Sequence, residues 1–376
     1  MHICFLSHEY PLWATGGIGS FIQTLGRGLV NEGHAVTVVG ASNLANGDFI
    51  NDEGVSVYRI SAPKYFRRGS FFENAIKIRK KLREIHSKTP IDIVEAIESG
   101  LFILPRKTPF KKIIRLHGGH HFFAESENRS INKWKGYQER VSFGKADAFL
   151  AATQYVINHT GKYLSMAGRP VEVINFPIDS TRFPQADLSK TKKHKLVFAG
   201  TVCEKKGVRQ LIQAIPLVAE KYPDVTLEIY GREWFFPDGA SYTEYIKNQF
   251  SDDILSRVTI HGAVKLAEIP SKYEEAELCT FPSHMETLGL VAPEAMMMGK
   301  PVLFSITGPG PEIITHQQTG LLCDPYNPND IAEKIIYAFD NSEKMNEFAK
   351  KGQEHALRVF SVKNSIISNI NFYQSL

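Results

Sequence analysis

Short apolar runs and stretches of helical periodicity alternate along the whole chain. In the first half, β-branched and aromatic runs predict strands over residues 2–7, 36–39, 55–60, 91–95, 113–117 and 148–151. Between them, apolar residues spaced by three and four predict helices over 19–32, 73–88 and 133–144. Such alternation builds a parallel sheet with helices on both faces. Residues 175–194 lose the rhythm, being polar, charged and proline-bearing, and predict a linker. The rhythm restarts with strands over 195–200, 225–230, 258–262, 278–281 and 301–304, and helices over 207–221, 242–250, 328–340, 343–359 and 362–373. The expectation is an α/β chain of two Rossmann-like, doubly wound domains, 1–188 and 189–359, followed by a last segment, 360–376. Facing each other, two such domains form a central cleft at their carboxyl-end loops, the default active site. No period of 20–50 residues repeats, which excludes a solenoid.

Composition narrows the class. With 376 residues, 43% hydrophobic and 22% charged, the chain is long enough for two or three globular domains. Its apolar runs are strand-sized, too short to span a bilayer, and its N-terminus reads as a first strand and not a signal peptide. Cys4, Cys203, Cys279 and Cys323 are scattered, and read as reduced packing residues of a cytoplasmic protein. The net charge of +4 is uneven: residues 1–188 hold 24 basic and 17 acidic residues (+7), the remainder 20 and 23 (−3).

Candidate chemistry concentrates in a few turns. Glu286 and Glu294 stand eight residues apart in a segment otherwise almost free of charge, between the strands over 278–281 and 301–304. Pro293 places a helix start there, so Glu294 falls in its first turn at the carboxyl end of a strand. A carboxylate in that position either complements the helix dipole or binds ligand hydroxyls. Gly16-Gly17-Ile18-Gly19 follows the first strand and opens the first helix, as a tight turn or an anion cradle. It lacks the Gly-x-Gly-x-x-Gly spacing, and no acid ends the second strand, which argues against NAD or FAD. Lys205-Lys206-Gly207 occupies the equivalent turn of the second half, solvated or set on a phosphate. His117, at a strand end before Gly118-Gly119, is either structural or exposed to the cleft by its glycines. Glu98 is an acceptor-facing group or an ordinary loop carboxylate. His120 and His121 lack partners at metal-ligand spacing and no Asp-x-Asp is present, so no essential metal is expected.

Taken together, Glu286, seven residues and Glu294, then the small-residue helix, Gly299-Lys300-Pro301-Val302 and Gly310-Pro311-Glu312, resemble the donor site of the family 4 retaining glycosyltransferases. Gly16, Gly17 and Gly19 resemble that family's donor-phosphate loop, and Gly33-His34 its next element. The resemblance implies the GT-B fold, with 360–376 packing back on the first domain, and a nucleoside diphosphate sugar of UDP or GDP type as co-substrate, without cofactor. It implies that Glu294 binds the ribose hydroxyls. Glu286, with Thr287, Leu288, Gly289 and Leu290, holds the sugar, Lys206 stabilises the leaving diphosphate, and His117 stands near the transferred sugar. Glu286, His117 and Lys206 are thus the expected catalytic residues, and Glu98, His120 and Phe122 the expected acceptor side. Two positions depart from the family pattern. Thr201 stands where the family has an arginine, leaving Lys205 or Arg232 as the substitute, and Leu288 replaces an aromatic expected to pack on the sugar.

The expected activity is therefore retaining transfer to a glycan or lipid-linked acceptor, as in bacterial-type surface polysaccharide or lipopolysaccharide synthesis. The alternatives are a GT-B sugar-nucleotide 2-epimerase and a non-catalytic sugar-nucleotide or glycan-binding protein. Lys64–Lys88 carries nine basic residues against two acidic, interleaved with Tyr65, Phe66, Phe71 and Phe72, and Arg106, Lys107, Lys111 and Lys112 follow. That pattern predicts peripheral contact with the inner face of the cytoplasmic membrane, while so local a patch argues against nucleic acid.

Overall fold

The computed structural model describes residues 1–11, 16–64, 69–126 and 129–376. These form two compact units, Met1–Ile178 with Val362–Leu376, and Asp179–Ser361. The first unit holds β1 (His2–Leu6), β2 (Ala35–Ala41), β3 (Asp48–Asp52), β4 (Val55–Ile60), β5 (Ile93–Ala96), β6 (Lys111–Leu116), β7 (Ala148–Ala151) and β8 (Val171–Val173). They join in the order β3-β4-β2-β1-β5-β6-β7-β8, parallel except for the β3–β4 hairpin. The second unit holds β9 (Lys195–Ala199), β10 (Thr226–Tyr230), β11 (Val258–Gly262), β12 (Leu278–Phe281), β13 (Val302–Ser305) and β14 (Leu321–Cys323), all parallel, in the order β11-β10-β9-β12-β13-β14. Helices cover both faces, so β1, β9 and β12 are buried end to end and are apolar at all but one position each, His2, Lys195 and Thr280.

Each sheet has one point where chain order reverses: between β1 and β5, and between β9 and β12. Open α/β sheets bind ligands beyond the strand ends at that crevice. In the second unit the crevice is bordered by the turn after β9 and the loop after β12, which contain Lys206 and Glu286.

Three strands were not expected from sequence. β3 is polar and mostly exposed, and reaches β4 through a tight turn in which Glu53 and Gly54 both take positive φ. β8 and β14 are edge strands of three residues, too short to show a period. The boundary also differs from the expected 188. Residues 179–188 belong to the second unit, where the Ala186 N–H bonds the Met298 carbonyl at 3.0 Å and the Asp187 N–H bonds Glu274 at 2.9 Å. Their polar composition hides two short turns, each capped by an aspartate, Asp179 and Asp187.

The last helix, Val362–Gln374, belongs to the first unit and lies on the helix Gly17–Asn31. A Cβ on Gly28 would collide with Ile366, so the glycine permits the close approach. Below it, the buried Arg115 guanidinium bonds Glu95 (2.6 and 3.0 Å) and Asn369 (2.5 Å), and the Tyr373 hydroxyl donates to Glu95 at 2.7 Å. Removing one partner from such a buried pair costs about 3–5 kcal/mol. No helix among the described residues is long and apolar enough to cross a membrane.

Candidate active site

In the second unit, glycines bring the strand-end loops into contact. A Cβ on Gly231 would collide with the Gly200 carbonyl, setting the ends of β9 and β10 side by side. Gly207, at φ +71°, closes the short turn Glu204–Lys206, and a Cβ there would strike the Pro282 carbonyl. The His284 N–H then donates to the Lys205 carbonyl at 2.9 Å. This places the Lys206 ammonium directly on Glu286 Oε1, which also accepts from Ser283 Oγ at 3.1 Å. Sequence reading gave Lys206 and Glu286 separate tasks; the fold makes them an ion pair, both partly covered.

The turn is anchored by a residue the sequence did not single out. Glu204 accepts from Arg209 (3.0 and 2.6 Å), Gln210 (2.9 Å) and the Tyr242 hydroxyl (2.6 Å). Burial alone would raise its carboxyl, but these donors hold it down at about 2. A Glu followed by Arg at the fifth position and Gln at the sixth was the available signal, weak because it spans a turn into a helix.

Beyond Glu286 the chain turns through Gly289, at φ +78°, pressed against the Phe304 ring. Leu288 is 1% exposed. Its side chain fills the core, so it does not take the place of the family's aromatic against a sugar, and only its backbone can serve there. Thr287 and Leu290 are half-buried. Glu294 lies in the first turn of the helix Val291–Met297, which starts slightly before the expected Pro293. A strip of its surface stays accessible, yet the side chain lies deep in the fold. That burial pushes the carboxyl up to about 7, with the Arg182 charge opposing the rise. No side chain among the described residues donates a hydrogen bond to it. Of the two candidates to replace the missing arginine, Arg232 donates from Nε to Thr201 Oγ1 at 3.3 Å. It is exposed and pairs with no carboxylate among the described residues.

In the first unit, His117 follows β6 with its ring between Phe21 (5.3 Å) and Phe176 (5.0 Å). Burial, reinforced by the Arg115 charge, lowers it to about 3, so the imidazole is neutral throughout the physiological range. Its own N–H and that of Gly118 donate to Glu98 Oε1, each at 2.7 Å. Glu98 is therefore buried and committed to backbone, not turned toward an acceptor. Phe122 is likewise interior, its ring against Phe123, Tyr155 and His159. The His120 ring is half-buried and accepts the Asn132 N–H at 2.8 Å. These placements correct the acceptor-side expectation for Glu98 and Phe122, whose direction sequence position alone does not fix. The glycines also have another task than uncovering His117. Gly118 takes φ +89°, and a Cβ on Gly119 would collide with Glu139 and crowd Glu98.

Gly16 precedes the helix Gly17–Asn31, and Gly17 has open space around it. Gly19 packs on the backbone of Glu9 and Tyr10, and a Cβ on Gly16 would collide with the Glu9 carboxylate. A carboxylate rather than a cation lies against the first glycine, opposing the anion cradle that the sequence suggested. The residues between, 12–15, lie outside the described residues. No group of three His, Cys, Asp or Glu able to hold a metal ion occurs among the described residues.

Residues 15–182 match Glycosyltransferase Family 4, and residues 179–355 match Glycosyl transferases group 1. An uncharacterised glycosyltransferase of Methanocaldococcus jannaschii is 26% identical over 380 residues, covering 100% of this chain and 99% of the relative. The sucrose-phosphate synthase of Thermosynechococcus elongatus superposes with a TM-score of 0.85 at 20% identity, covering 100% of this chain and 98% of that one. Anabaena HepE in complex with UDP-glucose superposes at 0.78 and 18% identity, covering 100% of both chains. Two parallel-sheet units, each matched along nearly its whole length, make this chain a GT-B glycosyltransferase of family 4.

Proposed function

We propose that the enzyme transfers a sugar, with retention of configuration, from a nucleoside diphosphate sugar to a hydroxyl of a glycan or lipid-linked acceptor. The observation that carries this reading is the Lys206–Glu286 pair at the chain reversal of the second sheet, with Glu294 in the first turn of the following helix and no side chain among the described residues donating to its carboxylate. Glu294 accepts the ribose hydroxyls. Lys206 and Arg232 stabilise the departing diphosphate, and Glu286 with the 287–290 backbone binds the sugar. His117, neutral and without a protein hydrogen-bond partner on its ring among the described residues, serves transfer as a hydrogen-bonding group and not as a cation. In same-face attack, the acceptor oxygen bonds the anomeric carbon as the bond to the diphosphate breaks. The acceptor's proton passes to the leaving phosphate, so no carboxylate nucleophile is required. With Lys206 and Arg232 taking up the diphosphate charge, we take the reaction to be metal-independent.

A UDP-sugar is the favoured donor because the neighbour HepE is described in complex with UDP-glucose; a GDP-sugar is the other class to test. Surface polysaccharide or lipopolysaccharide is the acceptor class that a basic, aromatic surface on the first unit suits. There Phe72, Ile76, Trp134 and Tyr137 are exposed, and Phe71 joins the two helices by packing on Phe102 and Trp134. Not every predicted cation takes part. Lys77 pairs with Glu73, Lys81 with Glu84, and Lys112 is buried on the Arg106 carbonyl at 2.6 Å. Tyr65, Phe66, Arg67 and Arg68 lie outside the described residues.

The families matched are transferases, leaving the 2-epimerase and the non-catalytic binding protein without support. The test is a panel of UDP-, GDP- and ADP-sugars, with and without glycan and lipid acceptors, in excess EDTA. Acceptor-dependent release of nucleoside diphosphate is expected. Release that ignores the acceptor, or that needs a divalent cation, contradicts the reading.

A further inference from the structure

Beneath the His117 turn lie two buried carboxyls with no place in the donor chemistry. Glu98 comes from the loop after β5 and Glu139 from the helix Lys133–Phe143, and they are 3% and 2% exposed. Glu98 Oε1 accepts the N–H groups of His117 and Gly118, both at 2.7 Å. Glu139 accepts the N–H groups of His120 and His121, the second at 3.1 Å, and the His121 Nδ1–H. Four of the five backbone amides from 117 to 121 are thus tied to two acids from separate elements. Gly119 is the residue whose missing Cβ leaves room for both.

We propose that Glu98 and Glu139 are positioning residues for sugar transfer, fixing the backbone of residues 117–121 and with it the His117 ring. Burying two carboxyls together is unfavourable unless each is well satisfied. Backbone amides supply the bonds; burial, with the Glu139 charge, still raises the Glu98 carboxyl to about 8, and its Oε1 can accept both N–H groups whether or not the carboxyl is ionised. Gly118, at φ +89°, and Gly119 place little restraint of their own on the backbone, so the shape of the turn depends on the two acids. With both acids in place the loop has one conformation, and the ring stays between Phe21 and Phe176.

The inference rests on the reading that His117 serves transfer. Three single variants test it, Glu98→Met, Glu98→Gln and His117→Ala, with the double variant Glu98→Met/His117→Ala. The donor is the one selected in the sugar-nucleotide panel, and amide hydrogen exchange over 113–126 is followed in parallel. In Glu98→Met, exchange at 117–118 should accelerate, and kcat should fall on the order of 10²-fold, the cost of misplacing a group by about 1 Å. The donor KM should stay within about twofold, as for an interaction felt only in the transition state. Glu98→Gln keeps an oxygen for both N–H groups and should restore both readouts. The double variant should be no worse than His117→Ala alone. Unchanged kcat in Glu98→Met, failure of Gln to rescue, or additive losses would each overturn the inference. If Glu98→Met does not fold, Glu139→Gln takes its place, with lowered kcat at constant KM expected and unchanged kcat overturning the proposal. A fully active His117→Ala enzyme would remove the role of His117 and this inference together. Wild-type rates in Glu98→Met beside an inactive His117→Ala would remove the inference alone.

Discussion

The Lys206 ammonium rests on Glu286, a residue 80 positions away, because Gly207 and Pro282 bring their two loops into backbone contact. A diphosphate arriving at Lys206 would draw it from Glu286, freeing the carboxylate for sugar hydroxyls. Lys206→Ala should therefore lower turnover by roughly 10²–10³-fold, the usual cost of losing one group that stabilises developing charge. It should also weaken nucleoside diphosphate binding, whereas Glu286→Ala should abolish turnover with binding kept. Losses in the double variant should fall short of additive. A Lys206→Ala protein altered only in melting temperature would show the pair to be structural.

Glu294→Gln replaces the charged acceptor offered to the ribose. A hydrogen bond to a charged group is worth about 1.5–3 kcal/mol, so the donor Kd should rise roughly 10–100-fold. The pH dependence follows from the rise to about 7 that burial imposes. Donor affinity should weaken as pH falls through 7, where the carboxylate is lost. Stability of the free enzyme should run the other way. A carboxyl raised in the folded state is least costly below its unfolded value, and that stability is lost as pH rises through 7. Glu294→Gln should flatten this slope in melting scans from pH 5 to 8. A donor Kd equal to wild type removes Glu294 from the site.

Both sheets and most of their helices were legible in the sequence, because buried parallel strands are mostly apolar runs set off by polar, glycine- and proline-bearing turns. The positions of Glu286, Glu294, Lys206 and His117 at strand ends followed from the same pattern. Side-chain direction did not. Glu98 and Phe122 lie in the loop after β5 and the helix after His117, and their inward turn is set by partners 19 or more residues away, such as the His117 amide and His159. The contact of Arg232 with Thr201 follows from the approach of Gly231 to Gly200, which brings together neighbouring strands and leaves no mark on composition.

His117→Ala should damage transfer while leaving nucleoside diphosphate binding nearly intact, since the proposed nucleotide residues lie in the second unit. Burial and Arg115 lower His117 to about 3, so an acid limb near pH 6.5 in the wild-type rate profile should persist in His117→Asn. Loss of that limb in the variant would mean that the imidazolium takes part. Equal loss of transfer and nucleotide binding in His117→Ala would contradict the separation of roles.

Arg232→Ala should raise the nucleoside diphosphate Kd about tenfold, within the range for one charge-assisted bond to phosphate. Lys205→Ala should do less, because Arg232 is in contact with Thr201, where the family arginine stands, and the His284 N–H bond to the Lys205 carbonyl survives the substitution. Thr201→Arg in the Arg232→Ala background should restore binding, the two positions being in hydrogen-bond contact in the wild type. Unchanged binding in Arg232→Ala, with a large loss in Lys205→Ala, would reverse the assignment.

Membrane contact is tested on the described surface of the first unit. Phe72 and Ile76 stand one turn apart on the helix Ser70–Lys88 and are more than 60% exposed, while Trp134 and Tyr137 emerge from the neighbouring helix Lys133–Phe143. Such a cluster is unfavourable in water and suited to a headgroup layer, and cations around it contribute on the order of 1 kcal/mol each at an anionic surface. Lys80, Arg83, Lys133 and Lys135 belong to the same two helices. The wild-type enzyme should cosediment with vesicles containing anionic phospholipid, and less so as salt is raised. Replacing Lys80 and Arg83 by Ser should lower the partition coefficient about tenfold or more, and should weaken its salt dependence. Phe72→Ser with Trp134→Ser should reduce binding and leave the salt dependence in place, because those residues supply the apolar term alone. Equal recovery of the wild type with neutral and anionic vesicles would sink the membrane contact and point to an acceptor taken from solution.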